Sequence, residues 1–134
     1  MKTIYLLFFL CMTLLFKGCH SEFMSQEKIL SPDEFERGYT KQIDAILIDI
    51  RTPEEVKSGH LEDAIFIDYH DEHFEAQLAY LRKDLSYYIY CSSADKTIPT
   101  ARLMNSMGFK NVFVLKGGIK LWHQEGKRIV HPQI

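Results

Sequence analysis

The chain has 134 residues, 25% of them charged, and a formal net charge of −2. That length gives room for one ordinary globular domain and excludes a string of them. A slightly acidic balance excludes a basic face as the organising feature, and with it a nucleic-acid partner.

The first segment is Met1-Lys2-Thr3 followed by thirteen largely apolar residues, Ile4 to Phe16. A basic start and a short apolar run match an export signal over residues 1–18 and fall short of the ~20 residues that span a bilayer. Phe16-Lys17-Gly18-Cys19 resembles the lipobox of bacterial lipoproteins, with Lys17 departing from it. Lipidation of Cys19 then implies a membrane-anchored location, against ordinary secretion or an uncleaved signal anchor. Removing residues 1–18 takes Lys2 and Lys17 and no acid, moving the net charge from −2 to −4. Cys11 leaves with the signal and Cys19 carries lipid, so Cys91 is the one thiol left and no internal disulfide is expected.

Residues 19–27 read as a polar tether, and the domain runs over 28–131. Lys28-Ile29-Leu30 is a short edge strand. Ser31-Pro32-Asp33-Glu34 combines an N-cap, a first-turn proline and a capping-box glutamate, opening a helix that ends near Gly38. Residues 45–51 form a continuous apolar run ending in Asp49 and Arg51, the pattern of a central parallel strand. Thr52-Pro53-Glu54-Glu55 repeats the capping pattern before a short helix closed by Gly59. Residues 64–68 read as a strand and 70–83 as an amphipathic helix bearing Phe74, Leu78 and Leu81 on one face. His70 and His73 could be metal ligands, but no third ligand falls at a sensible spacing, so no metal is expected. After the Tyr87–Tyr90 strand come a loop, a helix to Met107, a strand over 111–115, a Gly117-Gly118 turn and a last helix with Trp122 inward. Residues 128–130 are a terminal extended piece. Alternating strands and helices predict a parallel sheet covered on both faces.

The chemistry concentrates where the Tyr87–Tyr90 run stops at Cys91. Ser92, Ser93, Ala94, Asp95, Lys96 and Thr97 follow, then a helical pattern. Open α/β sheets place their sites at the carboxyl edge of the strands. Unpartnered N–H groups in such a loop and first helical turn can face an anion and stabilise a thiolate. Cys91 is therefore a candidate nucleophile, set against the plainer reading of a buried core cysteine.

Three segments together resemble the rhodanese (sulfurtransferase) family: Asp49 to Val56 with Gly59 to Ala64, the Cys91–Thr97 loop, and Gly108 to Trp122. The resemblance covers residues 28–130. It implies an α/β/α three-layer sandwich around a five-stranded parallel sheet, and a persulfide carried on Cys91. The loop residues Ser92 to Thr97 would hold the substrate sulfur, and no cofactor is implied. The chemistry is sound on its own terms, because attack by a thiolate on a donor's outer sulfur splits one transfer into two easier ones, and loop N–H groups can hold the terminal sulfur anion.

The family loop has glycine where this chain has Ala94 and arginine where it has Lys96. Ala94 fits only by avoiding a positive φ or bearing its cost. Lys96 keeps a charge but loses the planar fork of arginine. Asp95 puts negative charge beside the pocket and disfavours a dianionic donor, so weak thiosulfate:cyanide activity is predicted. Arg51 either leans over the loop to order it or pairs with Asp49. Asp49 caps loop N–H groups and His60 is a fold-holding hydrogen bonder. The leading reading is a sulfurtransferase or persulfide carrier in the cell envelope, served by a small sulfur donor or a thiol protein. A non-catalytic interaction module is the alternative. A cysteine phosphatase or arsenate reductase needs five residues between cysteine and an arginine, whereas four separate Cys91 from Lys96.

Overall fold

The structure, a computed structural model, describes residues 27–132. The expected signal, the tether up to residue 26 and Cys19 lie outside the described residues. Five strands, β1 (Lys28–Leu30), β2 (Ala45–Asp49), β3 (Ile65–Phe66), β4 (Ser86–Tyr90) and β5 (Asn111–Leu115), form one sheet in the order β1-β5-β4-β2-β3. Every pairing is parallel. The helices are α1 (Pro32–Lys41), α2 (Pro53–Lys57), α3 (Phe74–Ala79), α4 (Thr97–Ser106) and α5 (Gly118–Gln124).

All five residues of the central β4 are buried, and side-chain alternation along a strand sends them to two cores. Tyr87 and Ile89 join Ile48, Val112 and Val114 under α3, through Phe74 and Leu78, and under α4, through Ala101 and Met104. Tyr88 and Tyr90 join Leu47 and Leu115 on the other face, covered by Phe35 of α1 and by Ile119 and Trp122 of α5. Helices on both faces make this an α/β/α three-layer sandwich. Cys91 continues the alternation and falls with Tyr87 and Ile89.

Both capping boxes form. The Ser31 hydroxyl accepts from the Glu34 amide while Glu34 Oε2 accepts from the Ser31 amide at 2.9 Å. Thr52 and Glu55 repeat the exchange, with Glu55 Oε2 3.1 Å from the Thr52 amide. Each satisfies amide donors that a helix start leaves open.

Two elements are shorter than expected. The helix predicted over 70–83 is confined to Phe74–Ala79. Ahead of it, the Asp68 and Asp71 carboxylates accept from the His70 and His73 amides at 2.9 and 2.7 Å, which holds those residues in turns. The strand expected over 64–68 is in register with β2 at Ile65 and Phe66 at the sheet edge, where both side chains are exposed, and the Ile67 amide adds a bond to Asp49 O at 3.0 Å. The terminal piece is held by an antiparallel bridge from Val130 to His60, and the Trp122 indole N–H donates to Arg128 O at 2.9 Å.

Candidate active site

Cys91 is the first residue past β4, at the carboxyl edge of the sheet, and the chain returns as α4 from Thr97. Its residue surface is 1% exposed. Burial alone would suit a core cysteine, but the sulfur has polar company. The Ala94 N–H donates to Cys91 Sγ at 3.2 Å, the thiol donates to Asp95 Oδ1 at 3.4 Å, and Thr97 Oγ1 lies 3.9 Å away.

Ala94 adopts φ +83°, in the left-handed region. The side chain there is strained by roughly 1–2 kcal/mol relative to ordinary φ. Of the two options its sequence position left open, the chain takes the costly one. The strained turn is also what aims the Ala94 amide at sulfur. Thr97 Oγ1 donates to Ala94 O at 3.1 Å, as does the Ile98 amide at 3.2 Å, and these bonds pin the turn onto the first residues of α4. The cradle of several amides expected around the sulfur is thus narrower: among the described residues, Ala94 supplies the amide that bonds Sγ.

The other side of the loop is fastened by α5. The Ile119 amide donates to Cys91 O at 2.9 Å and the Lys120 amide to Ser92 O at 3.2 Å. Gly118 has φ +60°, and a Cβ there would fall 2.5 Å from both Cys91 O and the Ser92 carbonyl carbon. The Gly117-Gly118 turn expected from sequence is therefore also a close backbone approach, available to glycine alone.

Glu55 is the residue that the sequence reading missed. Its Oε2 serves the α2 cap, and its Oε1 accepts from the Ser92 hydroxyl at 2.6 Å. The Ser92 hydroxyl, with help from Thr52, holds the Glu55 carboxyl below its usual range. A capping-box glutamate needs only one oxygen for its cap, and nothing in the local pattern says where the second one goes.

Ser93 Oγ donates to Asp95 Oδ1 at 2.9 Å, and this bond, ahead of the one from the Cys91 thiol, holds the Asp95 carboxyl below the ordinary range. Lys96 is half-buried, and its charge favours the ionised forms of both Glu55 and Asp95. Two carboxylates thus share one ammonium at the rim.

Arg51 takes the second of its two expected places. Its Nε and Nη2 donate to Asp49, the Nη2–Oδ2 distance being 2.5 Å, while Nη2 also donates to Gly59 O at 2.8 Å and Nη1 to Glu55 O at 3.3 Å. The guanidinium lies over the Tyr90 ring, 5.6 Å from its centroid. With these partners already engaged, Arg51 is a strut from β2 to α2 and the turn that follows it, and not a residue of the sulfur pocket. Asp49 Oδ1 also accepts the Arg51 amide at 3.0 Å. Burial, then the Asp49 charge, pushes the Tyr90 phenol upward, and its oxygen accepts the Leu61 amide at 3.0 Å. His60 Nδ1 lies 2.9 Å from Leu61 O, and its ring packs edge-on against Phe66, away from the loop. His73 is exposed beside Glu72, and no group of three metal-ligating side chains occurs among the described residues.

The sequence and the fold both match known proteins. The Rhodanese-like domain family profile matches residues 31–125, which include every residue of the loop. The chain belongs to the rhodanese-like domain family. A sulfurtransferase of Allochromatium vinosum is 32% identical over 90 residues, covering 67% of this chain and 82% of that protein. The thiosulfate sulfurtransferase GlpE of Pseudomonas syringae is 26% identical over 110 residues, covering 82% and 95%. A rhodanese-related protein from Thermoplasma volcanium superposes with a TM-score of 0.69 at 19% identity, covering 78% of this chain and 99% of that one. The last similarity concerns the fold.

Proposed function

We propose that this rhodanese-like protein is a sulfurtransferase that carries sulfane sulfur as a persulfide on Cys91. The observation that carries the reading is the Ala94 N–H held 3.2 Å from Cys91 Sγ by a turn that costs backbone strain. A core cysteine needs no such turn, whereas a sulfur that must accept and release another sulfur gains a fixed donor. In the first half-reaction Sγ attacks the outer sulfur of the donor, the donor's S–S bond breaks, and the remainder leaves. In the second an acceptor nucleophile takes the outer sulfur from Cys91 and restores the thiol.

The rim decides which donors are welcome. Asp95 stands against Sγ and Glu55 against Ser92, with Lys96 as their shared counter-charge. A thiosulfate dianion meets like charge there, so thiosulfate:cyanide turnover is weak.

The test is mass spectrometry of the purified protein after incubation with sulfane donors. One added sulfur on Cys91, absent in Cys91→Ser, is the expected result. No adduct from any donor would leave a non-catalytic module and end the sulfurtransferase reading. We propose also that residues 1–18 direct export and that Cys19 is lipidated, on the strength of their sequence pattern. Incorporation of labelled fatty acid into the wild type but not into Cys19→Ser checks this.

A further inference from the structure

We infer that Asp95 sets the class of sulfur donor: it favours a terminal sulfur that can take a proton, so the donor is a hydropersulfide, R–S–SH, and not a sulfane that stays dianionic, such as thiosulfate. This rests on the sulfurtransferase reading and adds the donor's chemistry and the residue that selects it.

Asp95 Oδ1 receives two bonds at once, from the Ser93 hydroxyl at 2.9 Å and from the Cys91 thiol at 3.4 Å. The Ser93 bond aims the carboxylate at Sγ and keeps it ionised. An ionised carboxylate can only accept. The sulfur beside it is therefore satisfied when it carries a proton and repelled when it carries a charge. A transferred sulfur sits one S–S bond, about 2.0 Å, beyond Sγ, at the same rim. As –S–SH it can donate to Asp95, and as –S⁻ it faces the carboxylate. Lys96 is the loop's one cation; it forms no ion pair with either carboxylate, and its charge is divided between the fields of Asp95 and Glu55.

With a hydropersulfide the step closes without an external reagent. The bond from Sγ to the outer sulfur forms as the donor's S–S bond breaks, the electron pair leaving on R–S. The Sγ proton passes by way of Asp95 Oδ1 to that leaving sulfur. Cys91–SH and R–S–SH thus become Cys91–S–SH and R–SH. The sulfane sulfur changes carrier, and nothing is oxidised or reduced overall.

The test compares initial rates of Cys91 persulfidation by N-acetylcysteamine hydropersulfide and by thiosulfate in the wild type, Asp95→Asn and Ser93→Ala. The asparagine keeps an oxygen for Ser93 and loses the charge. The wild type should prefer the hydropersulfide. Asp95→Asn should lower the hydropersulfide-to-thiosulfate ratio on the order of tenfold, the scale at which one sign of charge in a cleft sorts ligands, with the thiosulfate rate rising. Ser93→Ala, which frees the carboxylate to swing away, should move the ratio the same way by less. A wild type that prefers thiosulfate, or variants that load at the wild-type ratio, would overturn the inference while leaving the transferase reading intact. A wild-type Cys91 that takes sulfur from neither donor would overturn both.

Discussion

Asp49→Asn offers the sharpest check on the energetics. Asp49 is fully buried and Arg51 is 6% exposed, so neither charge is repaid by water. Losing the carboxylate leaves the guanidinium facing two carbonyls, Gly59 O at 2.8 Å and Glu55 O at 3.3 Å, and the Tyr90 ring. Breaking one side of a buried ion pair costs roughly 3–5 kcal/mol. Because asparagine keeps an acceptor for the Arg51 amide, the lower end, about 3 kcal/mol, is expected. Arg51→Met leaves the buried carboxylate without its counter-charge, held by the amide of residue 51 and the Tyr90 side chain, and roughly 3–5 kcal/mol is expected. The double variant should cost less than the two singles together, with a coupling of ~2–3 kcal/mol. Trp122, the only tryptophan and 1% exposed, reports unfolding in urea by fluorescence. A loss below about 1 kcal/mol for Asp49→Asn, the range of exposed ion pairs, or additive single variants, would refute the assignment of Arg51 as a strut.

Three further outcomes follow from the loop. Ala94→Gly relieves ~1–2 kcal/mol of strain but loses a buried methyl worth ~0.8 kcal/mol and adds ~0.4–1 kcal/mol of unfolded-chain freedom. The urea midpoint should therefore barely move, and a clear drop would mean that the positive φ is not strained. Gly118→Ala forces a Cβ onto the backbone of Cys91 and Ser92 and should cost several kcal/mol, on the scale of overpacking plus lost hydrogen bonds. It should also abolish Cys91 persulfidation, whereas full loading in a folded variant would refute the clamp. Glu55→Gln tests a pH effect. The folded Glu55 carboxyl titrates below its unfolded value of 4.5, so its stabilisation is complete above that value and is lost as pH falls through the folded one. The wild type should be the more stable near neutral pH and the difference should shrink well below pH 4.5; an advantage that grows in acid would contradict the Ser92 contact.

What the sequence discloses follows the reach of each interaction. The capping boxes of Ser31 and Thr52 close within three residues, so their letters alone reveal them. The β4 run is apolar throughout because both of its faces are covered, and it marks Cys91 as its end. The Arg51 pairing is different. Asp49 is two residues away, but the choice is settled by Gly59 O and by the Tyr90 ring, which only the folded sheet brings near. The second oxygen of Glu55 meets Ser92 across 37 residues, and the φ of Ala94 follows from bonds made by Thr97 and Ile98. The shortness of α3 is a contest between apolar periodicity and two aspartates bonding their own backbone, and periodicity gives no weight to the latter.

The grip of α5 on Cys91 O and Ser92 O also orders events in time. In a folding chain the thiol is present before residues 119 and 120 have come back to fasten its loop. The reactive geometry is assembled only when the final helix docks, so a half-made or truncated copy carries a sulfur without its machinery.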